Sequence, residues 1–303
     1  GDDVVMTCGA AGGLNVFLKA VLDPGDFVMI LAPYFPEYDF YIDNHGGVPL
    51  VVETREDFGL DMEAIERALA RPGGRVRAVL INSPNNPTGR MYAAADIAAL
   101  GALLRARAPQ AFLVSDEPYR RLVFDGRPFA GVLGAHGRAI VVGSHSKDLA
   151  VPGERIGSIA CSPEIPADER RELIGAMTFV TRTLGFVNAP ALMQRVVAGL
   201  QGVSVDPGEY QVRRDLLCDA LFRAGYDFVR PEGAFYLFPR SPDKDDVRFV
   251  RRLAERLVLT VHGAGFGRPG HFRISFCMAK ETIARALPVF AEIAREHGLA
   301  VRG

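Results

Sequence analysis

Six short apolar runs, at residues 27–31, 48–53, 76–82, 112–116, 139–144 and 156–161, constrain this chain most strongly. Stretches such as "FVMIL", "VRAVLIN" and "AIVVGS" lack the apolar–polar alternation of a strand with one wet face. They predict strands buried on both faces of a largely parallel sheet. Parallel neighbours need crossover helices, and the intervening segments carry the helical period. Met62, Ile65 and Leu69 share one face, as do Ile97, Leu100 and Leu104. The alternation predicts an α/β fold with ligands at the carboxyl ends of the strands. The pattern changes near Asp206-Pro207-Gly208. A long helix (about 210–224), short strands (235–238 and 272–276) and two helices (246–256 and 280–297) follow. This predicts a large domain over 1–205 and a smaller α+β domain with an antiparallel sheet over 206–303. No internal repeat or low-complexity segment interrupts the chain.

A length of 303 residues, 49% of them hydrophobic and 23% charged, is enough for a sizeable core. A formal net charge of −1 without a basic block gives no support for nucleic-acid binding. No run approaches the roughly 20 apolar residues that cross a bilayer. The opening "GDDVVMTC" lacks the basic and apolar regions of a signal peptide, so a cytoplasmic location is expected. Cys8, Cys161, Cys218 and Cys277 have no CxxC spacing and the histidines no HxxxH spacing. Reduced thiols are expected rather than disulfides, and no metal site. The chain opens without methionine and runs directly into "VVMTCGAAGGL", which reads as core structure. The natural N-terminus is therefore expected to be missing.

Polar groups cluster at the predicted strand ends. "INSPNNPTG" (81–89) reads either as a rigid proline turn or as a stiff frame presenting asparagine amides to a cleft. In "LVSDEPYRRL", Asp116 ends an apolar strand, either as a helix N-cap or as a buried carboxylate awaiting a cation. In "GSHSKD", Lys147 is a surface lysine or a nucleophile. Arg155 lies eight residues on, and two cations flanking one turn repel each other unless an anion sits between them. With Ser144 and Ser146 this reads as a phosphate site. "TCGAAGGLN" adds small residues before a helix, a phosphate cup without a Walker or GxGxxG pattern. A phosphate-bearing pyridine aldehyde would use all of these groups.

Seven segments carry a resemblance. They are "GAAGGLNVFLKAVLDPGD", "APYFPEY", "NSPNNPTG", "SDEPY", "SHSKDLAVPGERIG", "PEGAFYLFP" and "FRISF", in that order along the chain. The sequence resembles the class I/II aminotransferases, fold-type I enzymes dependent on pyridoxal 5′-phosphate (PLP). The resemblance implies a mostly parallel central sheet flanked by helices, with a smaller C-terminal domain. It implies a ping-pong transfer of an amino group from an L-amino acid to a 2-oxo acid, and a homodimer with the active site at its interface. Lys147 corresponds to the lysine that links covalently to the cofactor and shuttles the substrate α-proton. Asp116 corresponds to the partner of the pyridinium nitrogen, Asn86 and Tyr119 to donors on the phenolic oxygen, and Phe35 to the stacking aromatic, ahead of Tyr34. Gly9, Ala10 and Ala11, with Ser144, Ser146 and Arg155, correspond to the phosphate site. Arg273 corresponds to the grip on the substrate carboxylate, assisted by Asn86. His145 is expected in the loop beside the site, and His262 either in the pocket or exposed.

The family's N-terminal segment, which covers the substrate, has no counterpart here. Ala11 stands where an aspartate-specific branch often carries a lysine, and Phe35, Tyr34, Phe266 and "GAFY" suggest a pocket for neutral or aromatic side chains. A C–S β-lyase on the same fold and a non-catalytic regulatory domain are the alternative readings.

Overall fold

The computed structural model describes residues 3–71 and 73–302. The chain runs through β1 (Val4–Thr7), α1 (Gly9–Val21), β2 (Phe27–Ala32), α2 (Glu37–Asp43), β3 (Val48–Glu53), α3 (Met62–Leu69) and β4 (Val76–Asn82). It continues through α4 (Ala94–Arg107), β5 (Phe112–Asp116), β6 (Ala139–Ser144), α5 (His145–Asp148), β7 (Gly157–Cys161), α6 (Ala167–Thr183) and α7 (Ala191–Gly199). The last elements are α8 (Pro207–Arg223), β8 (Tyr236–Leu237), α9 (Asp246–Glu255), β9 (Val261–His262), β10 (Phe272–Ser275) and α10 (Lys280–Glu296).

Seven strands form one sheet in the order β1-β7-β6-β5-β4-β2-β3. All neighbouring pairs are parallel except those made by β7, which runs against both β1 and β6. The unbroken apolar runs follow from two-sided burial. Along β2, Val28 and Ile30 join the core shared with α1 and α6, while Met29 and Leu31 join that of Ile65, Ile97, Leu100 and Leu104. Each such side chain removed from water contributes about 1.5–3 kcal/mol, so neither face tolerates a polar substitution cheaply.

The β8-β10-β9 sheet is antiparallel. Its core joins Leu217 and Leu221 of α8, Phe249 and Leu253 of α9, and Phe290 and Ile293 of α10. Tyr119, Leu122 and Phe124, from the turn after β5, pack into this second core. Among the described residues, no helix is long and apolar enough to cross a membrane.

The helix expected from residue 210 begins at Pro207, because the Asp206 carboxylate accepts the Gly208 amide and starts it a turn earlier. Strands β1 and β9 and helices α2, α5, α6 and α7 are additional to the expected elements, and α5 places His145, expected in a loop, in a helical turn capped by Ser144.

Candidate active site

The parallel strands end on one edge of the sheet, so chemistry far apart in sequence converges there. Asn82 and Asp116 are register partners at the ends of β4 and β5. Ser144, ending β6, pairs with Gly157, which also pairs with Thr7 at the end of β1. Over this edge lies a cavity of about 310 Å³. Its lining includes Ala10, Ala11, Phe35, Asn86, Asp116, Tyr119, Ser144, Ser146, Lys147, Arg155 and Arg273. Of the residues expected to bind cofactor or substrate, Gly9 does not line it, and of the aromatic residues expected to shape the pocket, Tyr34 and Phe266 do not.

Gly9 acts from behind. Its φ is +70°, and a Cβ there would lie 2.7 Å from Arg155 Nη2, so the guanidinium lies directly over it. The α1 N-terminus has no side-chain cap and no acidic residue in its first turn. The amides of Ala10 and Ala11 are therefore free of helical partners, at the positive end of the macrodipole. Arg155 forms no ion pair among the described residues, and its Nη1 donates to the Pro152 carbonyl at 2.8 Å. Ser144 caps the short α5 helix: its Oγ accepts the Ser146 amide at 3.1 Å and donates to Ser146 Oγ at 2.9 Å. Uncapped amides, two hydroxyls and an unpaired guanidinium form a cradle for a dianion.

Lys147 is half-buried in α5, with Nζ 5.4 Å from the centre of the Phe235 ring and no ion pair among the described residues. Burial holds its pKa below the usual lysine value, and the cations Arg155 and Arg273 push the same way. Asp116 is 5% exposed. No helix begins after it, so it is not an N-cap. Tyr38 Oη donates to Oδ2 at 2.7 Å, whereas Oδ1 is buried without a partner. Burial pushes its pKa up to about 7, with the charge of Glu117 adding to the rise and the Tyr38 bond opposing it.

The asparagine loop serves both readings. Asn85 is structural, its Oδ1 accepting from the Thr88 amide and hydroxyl. Asn82 holds the loop to β5, donating to the Asp116 carbonyl at 2.8 Å and accepting the Asn86 amide at 2.7 Å. Asn86 faces the cavity, and its Oδ1 accepts from Arg273 Nη1 at 2.9 Å. Arg273 makes no ion pair among the described residues and leaves its buried Nε unpartnered. Its guanidinium lies over Tyr236 and Phe266, 4.6 and 4.8 Å from their ring centres. Tyr236 Oη is 3.0 Å from Tyr119 Oη.

Phe35 lines the cavity, whereas Tyr34 donates to Asp39 at 2.7 Å and does not. His262 ends β9, where its Nδ1 accepts the Gly265 amide, and it does not line the cavity. His145 Nδ1 lies 3.2 Å from Asp148 Oδ2. Leu14, Tyr41, Asn82 and Tyr236 line the cavity without having been singled out as site residues. Asn82 and Tyr236 had a signal, since they lie inside "INSPNNPTG" and "GAFY". Among the described residues no cluster of His, Cys, Asp or Glu is arranged to hold a metal ion.

A half-buried lysine sharing a cavity with a buried carboxylate, beside a dianion cradle on the carboxyl edge of an α/β sheet, defines a lysine-centred α/β enzyme. The model of the family "Aminotransferase class I and II" matches residues 1–290. A probable aspartate/prephenate aminotransferase of Thermus aquaticus is 35% identical over 296 residues, covering 96% of this chain and 76% of that protein. The crystal structure of an aminotransferase from Eubacterium rectale superposes with a TM-score of 0.92 at 37% identity, over 98% of this chain and 75% of that one. The Thermus thermophilus aspartate aminotransferase with maleate gives a TM-score of 0.82 at 31% identity, over 96% and 76%. The chain belongs to the class I and II aminotransferases.

Proposed function

We propose that the chain binds pyridoxal 5′-phosphate in this cavity and uses it to move an amino group from an L-amino acid to a 2-oxo acid. The observation that carries the reading is the buried, unpartnered Oδ1 of Asp116, on a residue that lines the cavity together with Lys147 and an unpaired dianion cradle. Such an oxygen is costly unless a cation meets it, and a protonated pyridine nitrogen is that cation. When bound, the cofactor supplies an electrophilic carbon and a ring that takes up the electron pair left at the substrate α-carbon.

The chain's own residues do the rest. The Ala10 and Ala11 amides, Ser144, Ser146 and Arg155 hold the phosphate. Phe35 lies against the ring, while Asn86 and Tyr119 donate to its phenolic oxygen. Arg273 grips the substrate α-carboxylate by a two-pronged bond, steadied by Asn86 and seated on Tyr236 and Phe266. Lys147 Nζ takes the α-proton from substrate and returns it, a task suited to its lowered pKa. Among the described residues the cavity lining holds no cation beyond Lys147, Arg155 and Arg273, each already assigned. This favours amino acids with uncharged, including aromatic, side chains over aspartate.

The same reading divides the chain near residue 205, with Arg273 supplied by the smaller C-terminal part. It also makes the protein a cytoplasmic homodimer. Phe179 (66% exposed), Leu192 (74%) and Val187 (50%) form an apolar surface on α6, α7 and their connection. Phe186 in that connection lies 3.8 Å from a Cβ built on Gly12 of α1, so a second copy seated there would border the cradle.

The test is a half-reaction screen. The PLP-loaded protein is mixed with single amino acids, and loss of the cofactor's long-wavelength absorbance is followed. Bleaching by neutral and aromatic amino acids, abolished in Lys147→Ala, is expected. Turnover retained in Lys147→Ala would remove the assignment, bleaching by aspartate alone the substrate class, and pyruvate release from cystathionine without an oxo acid would favour the lyase.

A further inference from the structure

Behind the cavity stands a residue that does not line it. Tyr38 is 2% exposed, on α2. Its hydroxyl donates to Asp116 Oδ2 at 2.7 Å, and its ring meets the Phe35 ring edge-on at 5.5 Å and 76°. The Tyr38 amide also donates to the Phe35 carbonyl at 3.1 Å. One side chain therefore touches, from outside, both a carboxylate and an aromatic ring that line the site.

The two contacts act differently. A carboxylate on a single bond can rotate, and a single donor on Oδ2 fixes its plane and leaves Oδ1 as the free acceptor. The same bond favours the ionised form against burial and against the neighbouring charge of Glu117. The edge-on ring keeps Phe35 from turning away from the cavity. The titratable groups around Asp116 are Glu117 beside it, Tyr38 and Tyr41 from α2, and Tyr119 from the turn after β5. Of these, Tyr38 alone is hydrogen-bonded to the Asp116 side chain among the described residues.

We propose that Tyr38 is a positioning residue for the pyridine ring: its hydroxyl pins Asp116 with Oδ1 toward the ring nitrogen, and its ring braces Phe35 against the ring face. This rests on PLP binding in the cavity, as argued above. Tyr38 closes the segment "APYFPEY", yet that segment gives it no role, since the bond that defines it joins residues 78 positions apart.

The test measures the dissociation constant of PLP by equilibrium dialysis, alongside thermal unfolding and the absorbance spectrum of the loaded protein. The proteins are wild type, Tyr38→Phe, Asp116→Ala and the double variant. Tyr38→Phe keeps the ring and the volume and loses only the hydroxyl. It is expected to bind about tenfold more weakly than wild type, the effect of one hydrogen bond to a charged group, with a shifted cofactor spectrum. In the Asp116→Ala background the same change is expected to have no effect on affinity, because the hydroxyl acts only through the carboxylate. Tyr38→Leu, which also removes the brace on Phe35, is expected to bind more weakly still. Wild-type affinity and spectrum in Tyr38→Phe would overturn the proposal while leaving the cofactor reading intact. An equal loss in both backgrounds would assign Tyr38 a structural role and also overturn it. A wild-type chain that does not bind PLP removes the cofactor reading and this one together. If Tyr38→Phe does not fold, the Asp116 infrared band of the loaded wild type, identified by difference from Asp116→Asn, decides. An ionised, hydrogen-bonded carboxylate supports the proposal, and a protonated carboxyl overturns it.

Discussion

Replacing Asp116 by asparagine separates the cost of this carboxylate from its use. In the cofactor-free protein Asp116 is pushed from 3.8 up to about 7, chiefly by burial. Below about pH 4 the group is protonated both folded and unfolded and imposes no penalty. Between 3.8 and about 7 the folded chain keeps a proton that the unfolded chain has released, so stability falls as pH rises. Above 7 the loss is complete. Three pKa units correspond to about 4 kcal/mol, of which about 2.5 kcal/mol falls between pH 5 and 8. Asparagine keeps the shape and an acceptor for Tyr38 but cannot ionise. Denaturant unfolding of both cofactor-free proteins at pH 5 and pH 8 is the assay. The wild type is expected to lose about 2.5 kcal/mol more than Asp116→Asn over that interval. At pH 8, saturating PLP is expected to stabilise the wild type more than the variant, because a ring N–H then meets the ionised Oδ1. Parallel pH profiles for the two cofactor-free proteins would refute the argument that Asp116 is a buried, uncompensated carboxylate.

Gly9→Ala forces a side chain into the left-handed region, at about 1–2 kcal/mol, and pushes a Cβ to 2.7 Å from Arg155 Nη2. Displacing the guanidinium is expected to weaken inorganic phosphate and PLP binding about tenfold in dialysis, with a modest fall in melting temperature. Tyr236→Phe loses the 3.0 Å contact with Tyr119 Oη but keeps the ring beneath Arg273, so kcat is expected to fall with KM little changed. Tyr236→Leu also removes that ring and is expected to raise the KM for the amino acid roughly five- to tenfold, the worth of one partly desolvated cation–π contact. Arg273→Lys replaces a planar fork by a point charge and is expected to raise that KM by roughly 10- to 100-fold.

The large sheet was legible because two-sided burial leaves a one-dimensional trace: the runs at 27–31 and 139–144 coincide with β2 and β6 to within a residue. Helices α6 and α7 left a weaker trace. Phe179, Leu192 and Val196 stay exposed in the single chain, so apolar residues lie on more than one side of these helices and blur the period. Helix α2 is seven residues long, too short for a period to emerge. Of the site, the lysine turn, the asparagine loop, the carboxylate and the two arginines were legible, because polar groups at the ends of apolar strands are costly without a purpose.

Sequence by itself determined the layered α/β architecture, the carboxyl edge as the locus of chemistry and the residue types gathered there. Hydrophobic period and strand-end polarity are local, and local signals survive in one dimension. Only the tertiary structure decided that Asn82 lines the cavity beside Asn86, that Gly9 serves as space beneath Arg155, that Tyr38 stands behind Asp116, and that Tyr236 meets Tyr119. Those relations join α2 to β5 and β8 to the turn after β5. A hydrogen bond between distant residues is fixed by the packing of the elements that carry them, and no spacing along the chain records it.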